Sequence, residues 1–162
     1  MRTISLTQGR VALVDDEDYE RLLKFKWYYS RKDNGVRCGG STLMSHEVLQ
    51  IDKGMVDHKE GNGLDNQKSN LRSCTYSQNN RNRKKTKKKT SSKYKGVHFE
   101  NRNKKWCAQI RFLGVLGQSV CSHLGYFLIE ELAAEAYDEA ARYQSGEFAT
   151  LNFPKEGERS CL

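Results

Sequence analysis

Residues 55–80 read Met55-Val56-Asp57-His58-Lys59-Glu60-Gly61-Asn62-Gly63-Leu64-Asp65-Asn66-Gln67-Lys68-Ser69-Asn70-Leu71-Arg72-Ser73-Cys74-Thr75-Tyr76-Ser77-Gln78-Asn79-Asn80. Met55 to His58 has the character of a short strand. Gly61, Asn62, Gly63, Asp65 and Asn66 are turn formers, so a loop follows. Asn70-Leu71-Arg72 begins a second strand, and Thr75 and Ser77 each suit the N-cap of a helix through SQNNRNR. The stretch predicts strand, loop, strand and helix in close succession, an α+β unit.

The residue types in this stretch suit phosphodiester hydrolysis. That reaction needs an activated water and stabilised charge on the phosphate and its leaving oxygen. A neutral His takes a proton near pH 7, and Asp and Asn supply oxygen ligands to a hard cation. His58 and the Asp and Asn side chains around it are of the types required.

On the N-terminal side, residues 4–14 predict two strands about a Gln8-Gly9 turn. The acidic run from Asp15 suits a helix start, with Tyr19, Leu22 and Leu23 as its apolar face. Trp27, Tyr28 and Tyr29 read as strand, Asn34-Gly35 as a hairpin turn. Residues 42–51 predict a short helix packing Leu43, Val48, Leu49 and Ile51 inward.

On the C-terminal side the character changes twice. Residues 81–95 hold nine Lys or Arg and no acid, against a net charge of +8 for all 162 residues. The positive excess is therefore a strap, not a uniformly basic surface. Arg81, Arg83, Lys84, Lys85, Lys87, Lys88 and Lys89 are its candidate contacts to a polyanion, with nucleic acid the usual partner. Having no apolar residue from 81 to 93, the strap is expected to bury nothing and to be mobile when free.

From Tyr94 onward three strands and a helix are expected. In the middle strand Trp106, Ala108, Ile110 and Phe112 alternate with Cys107, Gln109 and Arg111, giving one apolar and one polar face. Leu132, Ala133, Ala136, Tyr137 and Ala140 form the stripe of a helix that stops near Gly146 and covers the apolar face. The domain reading is 1–80, a basic linker 81–92, a second domain 93–154 and a tail 155–162.

Composition excludes other classes. No apolar run approaches the roughly 20 residues of a membrane span. The start of the chain has no apolar core of a signal peptide. Five cysteines without a CxxC pair argue against a disulfide framework and a structural zinc site, and point to a reducing, intracellular setting.

The 57–80 stretch resembles the HNH motif of phage and intron-encoded homing endonucleases, whose nuclease unit has a ββα-metal fold. The resemblance implies His58 as general base, Asp57 and Asn79 as ligands of one Mg²⁺ or Mn²⁺ ion, and Asn70 bracing the loop and holding His58 through a backbone carbonyl. Relatives carry a His-Arg pair upstream; here His46 is followed by Glu47. Residues 92–154 resemble an AP2 DNA-binding domain through Tyr94-Lys95-Gly96-Val97, Trp106 to Arg111, Leu124-Gly125-Tyr126-Phe127, Ala133 to Ala141 and Leu151-Asn152-Phe153-Pro154. That resemblance implies a three-stranded antiparallel sheet on one helix, with Lys95, His98, Gln109, Arg111, Cys121 and His123 facing double-stranded DNA. The family has Arg and Trp where Cys121 and His123 stand, so its base code does not transfer. The combined expectation is a monomeric, metal-dependent nicking endonuclease in the cytoplasm or nucleoid, encoded by a phage or mobile element. Two-strand cutting needs a dimer or two nicks. The competing expectation is a DNA-binding regulator with a decayed nuclease.

Overall fold

A computed structural model describes residues 1–82, 84–85, 90–114 and 117–161. It divides into two compact units, Met1–Asn79 and Asn80–Leu162.

The first unit begins with an antiparallel hairpin, β1 (Arg2–Ser5) and β2 (Val11–Val14). Helix α1 (Asp16–Leu22) follows, with acids in its first turn and Arg21 in its last, as the helix dipole favours. Strands β3 (Tyr28–Ser30), β4 (Gly35–Cys38) and β5 (Thr42–Leu43) make an antiparallel sheet in that order. Asn34 takes the positive φ that the β3–β4 turn needs. Helix α2 (Met44–Leu49) leads to the pair β6 (Met55–His58) and β7 (Leu71–Cys74) and then to α3 (Tyr76–Arg81).

One core joins these pieces, built on Val14, Leu22, Trp27, Val36, Met44, Val48 and Leu71. Trp27 precedes β3 rather than lying in it, and its indole N–H donates to Leu22 O at 2.7 Å. Two details differ from the periodicity. Leu23 ends α1 facing water, and α2 buries Met44 and Val48 because the helix begins at Met44.

Helix α3 starts on a reciprocal cap. Gln78 N donates to Thr75 Oγ1 and Thr75 N to Gln78 Oε1, which fixes Thr75 as the cap and puts Ser77 inside the helix.

The second unit is a three-stranded antiparallel sheet of β8 (Val97–Glu100), β9 (Lys105–Leu113) and β10 (Ser119–Phe127), with β9 central. Helix α4 (Glu130–Ser145) covers one face. Ala108, Ala133, Ala134 and Ala141 are all buried there, so backbone and helix approach closely. Ile110 packs with Tyr137, and Trp106 with the Ala133 side of the helix. The β9 alternation is therefore realised: apolar side chains meet α4, and Gln109 and Arg111 lie on the other face. A register shift between His123 and Gly125 lets both Leu124 and Phe127 reach the helix side. The start of α4 has no side-chain cap, in line with Leu128 and Ile129 preceding it.

Asp138, though buried, is satisfied: it accepts from Asn152 N at 2.8 Å and Phe153 N at 2.7 Å. Asn152 in turn accepts from Lys95 N at 2.7 Å.

The C-terminal residues correct the expected tail. β11 (Thr150–Leu151) pairs in parallel with β12 (Arg159–Ser160), and Cys161 is buried. The strap is corrected too. Asn82 is buried, and Lys85 N donates to Cys161 O at 3.3 Å, so this part of the strap lies against the second unit. Arg83, Lys87, Lys88 and Lys89 lie outside the described residues. Among the described residues no helix is long and apolar enough to cross a membrane.

Candidate functional site

The β6–β7 ladder sets Asp57 opposite Arg72 and His58 opposite Leu71. Alternation along β6 puts Met55 and Asp57 on one side and Val56 and His58 on the other. Val56 and Leu71 belong to the core, so His58 ends the strand on the core side and is only partly exposed.

The loop after His58 is pinned at several points. Leu13 N donates to Leu64 O and Asn66 N to Leu13 O, both at 2.8 Å, so the edge of β2 holds it. Gly63 lies so close to the β3–β4 turn that a Cβ there would come within 1.6 Å of Asn34 O. Asn70 ties the loop to itself: its side chain accepts from Glu60 N at 2.9 Å and donates to Asp65 O at 2.8 Å.

These restraints place Asn66, which is 1% exposed, against His58. His58 Nε2 and Asn66 Oδ1 are 3.3 Å apart, and Asn66 Nδ2 donates to Gly63 O at 3.3 Å. The Gly63 contact fixes which end of the amide faces the ring. With the amide oxygen facing the ring, the Asn66 contact is one in which Nε2–H donates. Burial pulls the His58 pKa below its ordinary 6.5, against the opposing effects of Asn66, Asp57 and Asp65. The ring is neutral at pH 7.

The Asn70 side chain ties the loop as expected, and a further residue, Asn66, meets the ring. In the sequence Asn66 reads as one more turn former; nothing local marks it as the partner of a residue eight positions earlier.

Asp57 lies on the other side of β6, and Asn79 reaches that side through Met55. Asp57 is buried, and Asn79 Nδ2 donates to the sulfur of Met55, Asp57's neighbour on that face, at 3.2 Å. Among the described residues no group of three or more His, Cys, Asp or Glu forms a metal cluster. The pair here offers one carboxylate and one amide, oxygen donors only. That chemistry fits a hard divalent cation whose remaining ligands are water and phosphate. Arg72 shares the carboxylate, with Nε and Nη2 donating to Asp57 Oδ2 at 3.0 and 2.8 Å.

Glu47 has a partner in Arg21, whose Nη1 reaches Glu47 O at 2.6 Å and Glu47 Oε2 at 3.7 Å. The pair binds α1 to α2.

In the second unit, the cations expected on DNA divide into two groups. Arg81 Nη1 donates to Gln144 O at 2.9 Å, and Lys85 Nζ to Tyr94 O at 2.6 Å. Lys95 Nζ donates to Arg81 O at 2.9 Å and to the Thr150 hydroxyl. Burial lowers Lys95 to a pKa of about 8. These three make hydrogen bonds to groups of their own unit. Lys84 is exposed. His98, Gln109, Arg111 and His123 stay on the polar sheet face, where Gln109 pairs across with His123 and Arg111 with Cys121. Cys107 Sγ lies 3.3 Å from His123 Nδ1, and the Cys121 thiol donates to Gln109 Oε1 at 3.4 Å.

No protein-family model matches the chain. A relative from Acanthamoeba polyphaga mimivirus, called an uncharacterized HNH endonuclease, is 29% identical over 153 residues. The match takes in 90% of this chain and 76% of the relative, so it extends over both units. The chain is thus a distant homologue of a protein named as an HNH endonuclease.

Proposed function

We propose that the protein is a metal-dependent DNA endonuclease of the HNH type, with His58 as its general base. The observation that carries the reading is the join at the end of β6. A neutral His58, oriented by Asn66, follows Asp57 on β6, and Asn79 reaches Met55, two residues before Asp57 on the same strand face. The distant likeness to a protein named as an HNH endonuclease supports it.

The neutral imidazole is the group that takes the proton from water, and its contact with Asn66 orients it. Holding the ring on a buried amide keeps it in one orientation, which general-base catalysis requires. Asn70 acts one step back, by fixing the loop that carries Asn66. Asp57 and Asn79 would hold one Mg²⁺ or Mn²⁺. The chemistry gained there, with the ion bound, is charge stabilisation on the scissile phosphate and its leaving oxygen.

The polar face of the second unit is the DNA-binding surface in this reading, arranged as in an AP2 domain. Arg111 and Gln109 reach base edges or phosphates from β9, and His98 and His123 flank them. Exposed Lys84 adds charge, and Arg83, Lys87, Lys88 and Lys89 are strap contacts proposed from sequence alone. One catalytic centre per chain makes a monomer a nicking enzyme.

A second reading, a DNA-binding regulator that does not cut, draws on the ion pair between Arg72 and Asp57. Supercoiled plasmid carrying a selected binding site separates the two. Nuclease activity gives open-circular product in Mg²⁺ or Mn²⁺ and none in EDTA. Intact plasmid in both metals, with salt-sensitive binding retained, establishes the regulator.

A further inference from the structure

Arg72 stands directly across the ladder from Asp57, and both its Nε and Nη2 donate to one carboxylate oxygen. The side chains are 11% and 6% exposed, so little water screens the pair. Separating two charges in so little water is costly, and a new partner for either charge offsets that cost. A divalent cation approaching Asp57 meets a guanidinium already on that oxygen. The two positive charges repel, and the cation has to compete for the carboxylate. Relief comes from an anion able to take the guanidinium. Phosphate does so well, because its oxygens match the planar donor fork.

We propose that Arg72 couples cation loading to DNA binding. In the DNA-free protein it holds Asp57 and keeps cation affinity low. When DNA binds, a backbone phosphate takes over the guanidinium and Asp57 is released to the cation. The inference rests on the endonuclease reading for the identity of the cation face. Linkage makes the effect reciprocal: the cation tightens DNA binding by the factor by which DNA tightens the cation. The arrangement also limits capture of metal away from substrate.

The test measures Mn²⁺ binding by electron paramagnetic resonance of the free ion. The full chain carries His58→Ala so that DNA stays intact. Each titration runs with and without a duplex at low salt, against a matching Asp57→Asn chain that corrects for ions taken up by the duplex. The parent is expected to bind Mn²⁺ about tenfold or more tighter with duplex present. Arg72→Gln is expected to reach a similar gain without duplex and to gain little from adding it. Arg72→Lys, which keeps the charge but loses the fork, falls between, and thermal melts establish that each variant is folded. Equal Mn²⁺ affinity of the parent with and without duplex overturns the proposal whatever the variants do. So does a folded Arg72→Gln chain that binds no tighter than its parent. Mn²⁺ uptake that survives Asp57→Asn strikes at the cation site and hence at the endonuclease reading. Uptake that needs Asp57 but ignores Arg72 and DNA strikes at this inference alone.

Discussion

The candidate surfaces of the two units hold their polar side chains in opposite ways. In the first, Asp57 is held by Arg72, His58 by Asn66, and the loop between them by Asn70 and Leu13. In the second, Arg111, Cys121 and His123 are exposed on an open sheet face, and Arg111 has no hydrogen bond or ion pair among the described residues. Chemistry on a single bond demands groups fixed to fractions of an ångström. Binding a long polyanion does not, because phosphate contacts add charge and tolerate side-chain freedom. On the proposed reading the folds suit these two tasks. The first unit gathers small sheets and short helices around Trp27 and Met44 and so surrounds its polar groups. The second backs a single sheet with one alanine-rich helix and leaves the other face open.

Four variants break or sharpen that contrast. Trp27→Ala removes the centre of the first core and a buried indole hydrogen bond. A loss of about 3–5 kcal/mol is expected. Cutting should disappear while DNA affinity stays, measured by thermal melts and gel shift. Equal loss of both properties would break the division of labour. Arg111→Ala should do the reverse, costing about 1–3 kcal/mol of DNA affinity if the guanidinium reads a base. The melting temperature should not change, and saturating protein should restore cutting. Thr75→Ala removes the α3 cap and should cost about 1 kcal/mol. The helix carries Asn79, so the variant should also need more Mn²⁺ for half-maximal cutting.

The smallest effect is set by pH. Arg142 binds Glu158 through two contacts of 2.8 Å and holds its carboxyl down to about 2. A depressed carboxylate stabilises the fold above its unfolded pKa, here the ordinary 4.5, and loses that contribution as pH falls toward about 2. Partial exposure keeps the effect small. Wild type should therefore melt above Glu158→Gln at pH 7, and the gap should close between pH 4.5 and 2. A gap that persists below pH 2 would mean the glutamine loses packing rather than charge.

The parts of the molecule legible in sequence are those with a repeating local signal. Trp106 to Phe112 alternates cleanly, α4 has an alanine-rich stripe, and 55–80 orders strand, loop, strand and helix as its turn formers and caps suggest. What escaped depends on who meets whom. Arg72 faces Asp57 only because of the β6–β7 register, and Asn66 reaches His58 only because Leu13 and Gly63 dock the loop. The strap reads as a free polycation because composition says nothing about carbonyls, yet Arg81 and Lys85 both donate to carbonyls. Two-residue strands such as Arg159–Ser160 carry no pattern at all. Of the candidate site, the strand and loop that carry it were readable, whereas the partners that orient its side chains were not.

The most direct test compares wild type and His58→Ala on one preparation of supercoiled plasmid in Mg²⁺, with DNA binding followed by gel shift. Wild type should nick. The variant should bind DNA equally well and nick about 10²–10⁴-fold more slowly. Equal nicking by both proteins, or equal binding with no nicking by either, would contradict His58 as the base of a nuclease.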